Sequence, residues 1–138
     1  MKRDYFKDIT MQEYEVKSAI LGFENITKIE IHNIDDLFAT MQDTNDKNIS
    51  FTIINPYILR EYSFDLPSDV KILLGITEDS NVSVYNIVVI QEPLENSLIN
   101  FLAPIIVNND NNKIAQAILN KEKHPEFGMA ETIKSFKE

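Results

Sequence analysis

The sequence predicts an all-β fold: one antiparallel domain, barrel-like or a sandwich, with a single short helix at about residues 68–74. Three observations lead there. The stretch Val82 to Leu119 holds three apolar runs, VSVYNIVVI, LINFLAPIIV and KIAQAIL, joined by the polar turns QEPLENS and NNDNN. That is the pattern of a three-stranded antiparallel meander. Earlier segments alternate apolar and polar residues with the two-residue period of half-buried strands. Only one segment carries both a helix start and a helix stop signal. The count comes to about eight strands and one helix, which argues for a sandwich or a closed, barrel-like sheet.

Residues 1–12 have mixed charge and no period, and read as a flexible extension. The domain itself runs from 13 to 124. Glu13 to Ala19 places Tyr14, Val16 and Ser18 on one face, and Gly22 permits a turn that a side chain would hinder. Lys28 to His32 alternates again. Asp35 to Gln42 is open between two readings: a short helix with Leu37, Phe38 and Met41 on one side, or a strand with Leu37, Ala39 and Met41 on one face. Thr44 to Asn48 is a polar turn. Ile49 to Ile54 is a strand that Asn55-Pro56 stops, because proline donates no ladder hydrogen bond.

In the next stretch, Pro67-Ser68-Asp69 reads as a helix start capped by Ser68, with Val70, Leu73 and Leu74 as the apolar side and Gly75 as the stop. In the meander, the central run is apolar on both faces of its pleat, so both faces should be covered. Pro104 interrupts it and suggests a bulge or an open edge. Ala103, Ala115 and Ala117 would share one face and leave a trough for an opposing sheet or a partner. Residues 125–138 form a polar tail with room for one or two helical turns.

Composition bounds the function. The 138 residues fit one domain that buries roughly two-thirds of its unfolded surface. No apolar run approaches the roughly 18 residues of a membrane span, and the N-terminus lacks the apolar core of a secretion signal. With no cysteine there are no disulfides, thiolate metal ligands or thiol nucleophiles, and a cytoplasmic address is the simplest reading. The net charge is −9, from 22 acidic and 13 basic residues. Such a chain repels phosphate backbones, so no direct nucleic-acid binding is expected.

Catalytic patterns do not emerge. His32 sits in a strand and His124 in a polar tail, and both read as surface residues. No HExxH, GxSxG or glycine-rich phosphate loop is present. Asp35/Asp36 and Glu78/Asp79 fall where turns and caps belong. The asparagine-rich run 108–112 lacks the alternating ligands of a calcium loop and suits a hairpin turn. No enzyme, metal or cofactor is expected. More specific are Asn86 and Asn100, which fall opposite or diagonal to each other among apolar neighbours. A buried unpaired amide costs about 1–3 kcal/mol. They are either an internal pair that fixes register or a device for recognising an inserted backbone.

Taken in order, several segments resemble the FliW family: Gly22-Phe23-Glu24, Asn55-Pro56-Tyr57, Tyr62 to Leu66, Val84 to Val88, and above all Asn100-Phe101-Leu102-Ala103-Pro104-Ile105-Ile106-Val107-Asn108. The entrance to Gly22 is shorter than in many members and lacks a proline-glycine turn, and residues 1–10 and 128–138 have no counterpart. The resemblance implies a cytoplasmic flagellar assembly factor with an antiparallel barrel-like fold and no catalytic activity. Its implied partners are the RNA-binding translational repressor CsrA, whose RNA binding it antagonises without competing for the RNA site, and flagellin near its C-terminal end.

For partner contact the sequence points to Tyr57, Tyr62, Phe64 and Asp65, an aromatic-acidic segment, and to an open edge at Ala103 and Pro104. Asn86 and Asn100 are the candidates for backbone recognition. The alternative is that Tyr62 and Phe64 are core, a claim at least as strong for Phe64. The competing reading is a small-ligand-binding barrel that uses the two amides in a polar interior pocket. A metal-dependent hydrolase is the weakest alternative.

Overall fold

In the computed structural model, residues 11–20 and 22–136 are described. Nine strands lie among them: β1 Met11–Val16, β2 Lys28–Asn33, β3 Phe38–Asp43, β4 Ser50–Ile54, β5 Val82–Val89, β6 Leu98–Ile99, β7 Ile105–Asn108, β8 Lys113–Gln116 and β9 Glu131–Thr132. Two helices, α1 Pro56–Leu59 and α2 Ser68–Leu74, join β4 to β5. The sheet closes on itself because β4 pairs with β5 and β1 pairs with β8. β1, β2, β3, β4, β5, β7 and β8 thus form a seven-stranded barrel, with β6 and β9 as an outer extension. Only the β1–β8 contact is parallel.

Alternation explains the interior. In β2, Ile29 and Ile31 are buried; in β3, Ala39 and Met41; in β4, Ile53. They meet Tyr14, Ile105, Val107 and Ile114 in one cluster to which the barrel strands contribute, so side chains fill the barrel. The other face is covered twice. Val70 and Leu74 of α2 pack on Ile106, Ala115 and Ala117. Tyr62, Phe101, Leu102, Leu119 and Phe127 cover Ile54, Val88 and Ile99. The both-sided burial expected of the central run is present, since all four residues of β7 are buried.

Several local expectations are corrected. The central run is not one strand. Val84 faces Ile106 while Val88 faces Ile99, so four residues along β5 correspond to seven along the run (106 − 99), and three are looped out. The Asn100 side-chain carbonyl accepts the Leu102 N–H at 3.0 Å and Pro104 has no N–H, which together hold the loop. Asp35 to Gln42 resolves as strand β3. The Asp35 carboxylate accepts the N–H groups of Leu37 and Phe38, making a turn into the strand rather than a helix cap.

α1 was unforeseen. Asn55 stops β4 as expected, but its side chain also accepts the Tyr57 N–H at 3.0 Å, with Pro56 opening the helix. In α2, Pro67 occupies the cap position and Ser68 is already helical, so Ser68 makes no cap bond. Leu73, expected on the apolar side with Val70 and Leu74, is instead 38% exposed. Of the expected extension, residues 1–10 lie outside the described residues, while Met11 and Gln12 belong to β1. The tail supplies β9 and a 3₁₀ turn, Ile133–Phe136.

The asparagine-rich turn ties α2 to the barrel. Asn108 and Asn111 both donate side-chain N–H groups to the Leu74 carbonyl, at 2.9 and 3.0 Å, satisfying the C-terminal end of the helix. Gly75 sits there at φ +67, the left-handed conformation a helix stop favours. Asn108→Ala is expected to lower unfolding free energy by about 0.5–1.5 kcal/mol, because it removes one of the two donors to the Leu74 carbonyl and the acceptor of the Asp110 N–H. Urea denaturation of the two proteins measures the difference.

Candidate functional site

Of the expected site residues, Tyr57, Phe64, Asn86 and, through it, Asn100 meet around Tyr62, whereas Asp65, Ala103 and Pro104 lie apart. The polar segment after α1 crosses the outer face of β5 and drops Tyr62 into the second cluster, where it is 5% exposed. Its ring contacts Phe127, Phe64 and Phe101 at centroid distances of 4.8, 5.2 and 5.5 Å, with Tyr57 farther off at 6.2 Å. Such tilted and edge-on pairs add about 0.5–1.5 kcal/mol each beyond area burial. Its hydroxyl donates to the Phe101 carbonyl at 2.5 Å and accepts from Asn86 Nδ2 at 3.1 Å.

Asn86 and Asn100 do meet, though not as paired side chains. Asn86 Nδ2 donates to the backbone carbonyl of Asn100 at 2.9 Å. Asn86 is fully buried and its two donors are spent on Tyr62 and Asn100. Of the two readings, the internal tie that fixes register matches this geometry. It locks the looped-out residues of the central run onto β5.

Ala103 and Pro104 are buried, not an open edge. Their carbonyls accept from Gln116 Nε2 at 3.1 Å and from the Ala117 N–H at 2.9 Å, so the chain after β8 fills the expected gap. The three-alanine trough is likewise divided. Ala115 and Ala117 lie under α2, whereas Ala103 lines a separate hollow.

What remains accessible is a surface on the other side of Tyr62. Tyr57, on α1, is 53% exposed. It lines a groove of about 260 Å³ with Tyr62, Phe64, Leu66, Val82 and Val84. A smaller hollow of about 180 Å³ continues from Tyr57 along Val82 to Tyr85. Phe64 is half-buried and packs against both outer clusters, so it serves core and groove together. Asp65 is exposed in a neighbouring groove of about 430 Å³ with Ser68, Lys123 and His124. The site is therefore an aromatic groove beside a second groove of mixed charge.

A fourth hollow, of about 300 Å³, opens at the barrel mouth between Phe51, Ile87, Leu98, Ala103 and Asn100. Asn86 does not line it. No group of three or more metal-ligating side chains occurs among the described residues. His32 lies 3.1 Å from Glu30 in a surface pair, and His124 stacks on Phe127 at 5.5 Å. No helix among the described residues is long and apolar enough to cross a membrane.

Sequence reasoning missed Arg60. Its guanidinium lies over Phe101, Phe127 and Phe136 at 4.9, 4.9 and 5.3 Å and approaches Glu131 at 3.4 Å. An arginine three residues after an exposed tyrosine carries no signal by itself. Its aromatic partners come from the loop after β6 and from the C-terminal segment.

Burial raises the Tyr62 phenol well above the ordinary value of 10.0, although the Asn86 hydrogen bond pulls the other way. Tyr85 is also raised by burial. A phenol whose folded pKa exceeds its unfolded one keeps its proton in the fold, so its contribution is complete below the unfolded value and is lost as pH rises above it. Unfolding free energy is expected to be insensitive to these groups at neutral pH and to fall above pH 10.0. Tyr62→Phe is expected to cost about 1–3 kcal/mol at neutral pH, since the Phe101 carbonyl loses its donor. The variant should also show a shallower alkaline decline. Urea titrations across the pH range test both.

The family model described as FliW protein matches residues 2–127. Flagellar assembly factor FliW 2 of Wolinella succinogenes is 46% identical over 124 residues, covering 90% of this chain and 91% of that protein. Flagellar assembly factor FliW of Sulfurimonas denitrificans is 46% identical over 121 residues, covering 88% and 94%. The relative of the same name from Campylobacter lari is 42% identical over 123 residues, also covering 88% and 94%. A crystal structure of the flagellar assembly factor FliW superposes with a TM-score of 0.79 at 21% identity, covering 91% of this chain and 86% of that one, a likeness of fold.

Proposed function

This chain belongs to the FliW family of flagellar assembly factors, and from that premise we propose a cytoplasmic, non-enzymatic protein that acts by binding other proteins. It binds a CsrA-type RNA-binding translational repressor, antagonising its hold on RNA, and it binds flagellin near the C-terminal end. Competition between the two couples flagellin synthesis to export. The observation that carries this reading is the exposed Tyr57 on the wall of an aromatic groove whose back is fixed by Tyr62. Rigid, half-exposed aromatics supply large contact area at low entropic cost, which is why they recur as interface anchors.

The expected contact residues divide by role. Tyr57, Phe64 and Asp65 face the partner. Tyr62, Asn86, Asn100, Ala103 and Pro104 hold that face in place from below. Tyr57→Ala is expected to weaken binding to the repressor at least tenfold, about 1.4 kcal/mol, with no loss of thermal stability. Calorimetric titration reads the affinity. Unchanged affinity for both partners would remove the groove from the interface.

Charge supplies the antagonism. A body of net charge −9 held beside an RNA-binding protein repels incoming phosphates without occupying their site. Raising salt from about 0.05 to about 0.5 M shortens the screening length severalfold. RNA exclusion is expected to weaken over that range more than the protein–protein affinity does. An RNA-displacement assay run beside a direct binding titration decides, and equal salt sensitivity would count against the electrostatic step. A small-ligand barrel has two observations in its favour, the hollow beside Asn100 and the unpartnered Asn86 Oδ1; the filled interior and the committed donors of Asn86 weigh against it.

A further inference from the structure

The segment from Gly128 to Phe136 lies beyond the family-matched residues and outside the closed barrel. It behaves as a strap laid on a sheet edge. Among the described residues its strand β9 pairs only with β6, Leu98 with Thr132 and Ile99 with Glu131. The Ile133 N–H donates to the Ser97 carbonyl at 3.2 Å, and the Phe101 N–H to the Gly128 carbonyl at 2.9 Å. Its side chains drop into fitted places. Ile133 is 5% exposed among Ile99 and Phe101, Phe136 meets Phe101 edge-on at 5.6 Å, and Glu131 reaches Arg60.

The strap is held at its start by its own turn. The Glu131 carboxylate accepts the Gly128 N–H at 2.6 Å, so close that a Cβ on residue 128 would meet Glu131 Cγ at 2.9 Å. Between them Met129 is 67% exposed and Ala130 is exposed. A strap held by a two-residue ladder, two flanking main-chain hydrogen bonds, one ion pair and the Ile133 and Phe136 contacts has fewer ties than the barrel strands beneath it and opens at lower cost.

We propose that the β6 edge and the Arg60 aromatic box form a recognition groove for an extended protein segment, with the strap as its built-in, displaceable occupant. The strap defines the ligand chemistry: a carboxylate residue, a branched apolar residue two positions on, and an aromatic five positions on, as in Glu131, Ile133 and Phe136. Arg60 takes the carboxylate, and its stack on Phe101 receives the aromatic ring. The β6 edge that β9 vacates supplies main-chain hydrogen bonds, as in strand addition generally. The groove lies across Tyr62 from Tyr57, so its failure and failure of the Tyr57 interface are separate outcomes.

The test uses the full chain and a fluorescent synthetic peptide of residues 128–138. Glu131→Ala with Phe136→Ala loosens the strap while leaving the groove intact. The peptide is expected to bind this double variant roughly tenfold more tightly than the wild type, and adding Arg60→Ala should abolish that gain. Equal binding to all three, or binding to none, overturns the proposal. A light-scattering dimer of the double variant that takes up no peptide would assign the groove to a second copy's strap and also overturn it. Hydrogen exchange of the wild type gives an independent reading: amides of 131–136 are expected to exchange at least about tenfold faster than those of Ile106 and Val107. Equal protection would show that the strap does not open separately.

Discussion

The aromatic layer outside the barrel depends on one buried phenol. The Tyr62 hydroxyl joins three segments that are remote in sequence: the loop after α1, strand β5 through Asn86, and the looped-out residues after β6 through the Phe101 carbonyl. Asn86 then closes the triangle by donating to Asn100. Buried polar groups are costly when unmatched and rigidifying when matched. Here the Asn86 donors and the Tyr62 hydroxyl are matched, while Asn86 Oδ1 stays buried without a partner, and the matched bonds fix where the central run breaks, and so where Ala103 and Pro104 turn inward. They also fix the plane of the Tyr62 ring, which is the back wall of the Tyr57 groove.

The barrel itself needs little of this. Its interior is Ile-, Val- and Met-filled, and alternation along each strand dictates which residues go there. A closed sheet has no edge except where a strand stops short, and β6 is such a place. The strap covers that edge with β9, Ile133 and Phe136, and Arg60 joins it to the same aromatic cluster that Tyr62 organises. Tyr62 thus separates two surfaces, one open around Tyr57 and one occupied by the chain's own C-terminal segment.

How much of this was legible in the sequence follows from the range of the forces involved. Strand existence was legible because alternation is local, and the Lys28, Phe51 and Val82 runs all became strands. The break at Pro104 was legible as an interruption, but its outcome was not. Whether a bulge opens an edge or closes it depends on what packs there, here Ala117 and Gln116. Asp35 to Gln42 could not be resolved, because both periods place apolar residues on one side and only pairing with β2 and β4 selects the strand. The Asn86–Asn100 proximity was foreseen from register, while the shift from side chain to backbone acceptor came from the three extra residues. Arg60 was invisible, since a cation over three rings is assembled from positions 60, 101, 127 and 136.

The open face around Tyr57 as the place of partner contact is tested most directly by hydrogen exchange of the full chain with and without the purified repressor. Slowed exchange is expected at residues 57–66 and along 82–85, with Ile29, Met41 and Ile53 in the barrel interior unchanged. Protection confined to the barrel mouth around Phe51 and Ile87, with 57–66 unaffected, would contradict it.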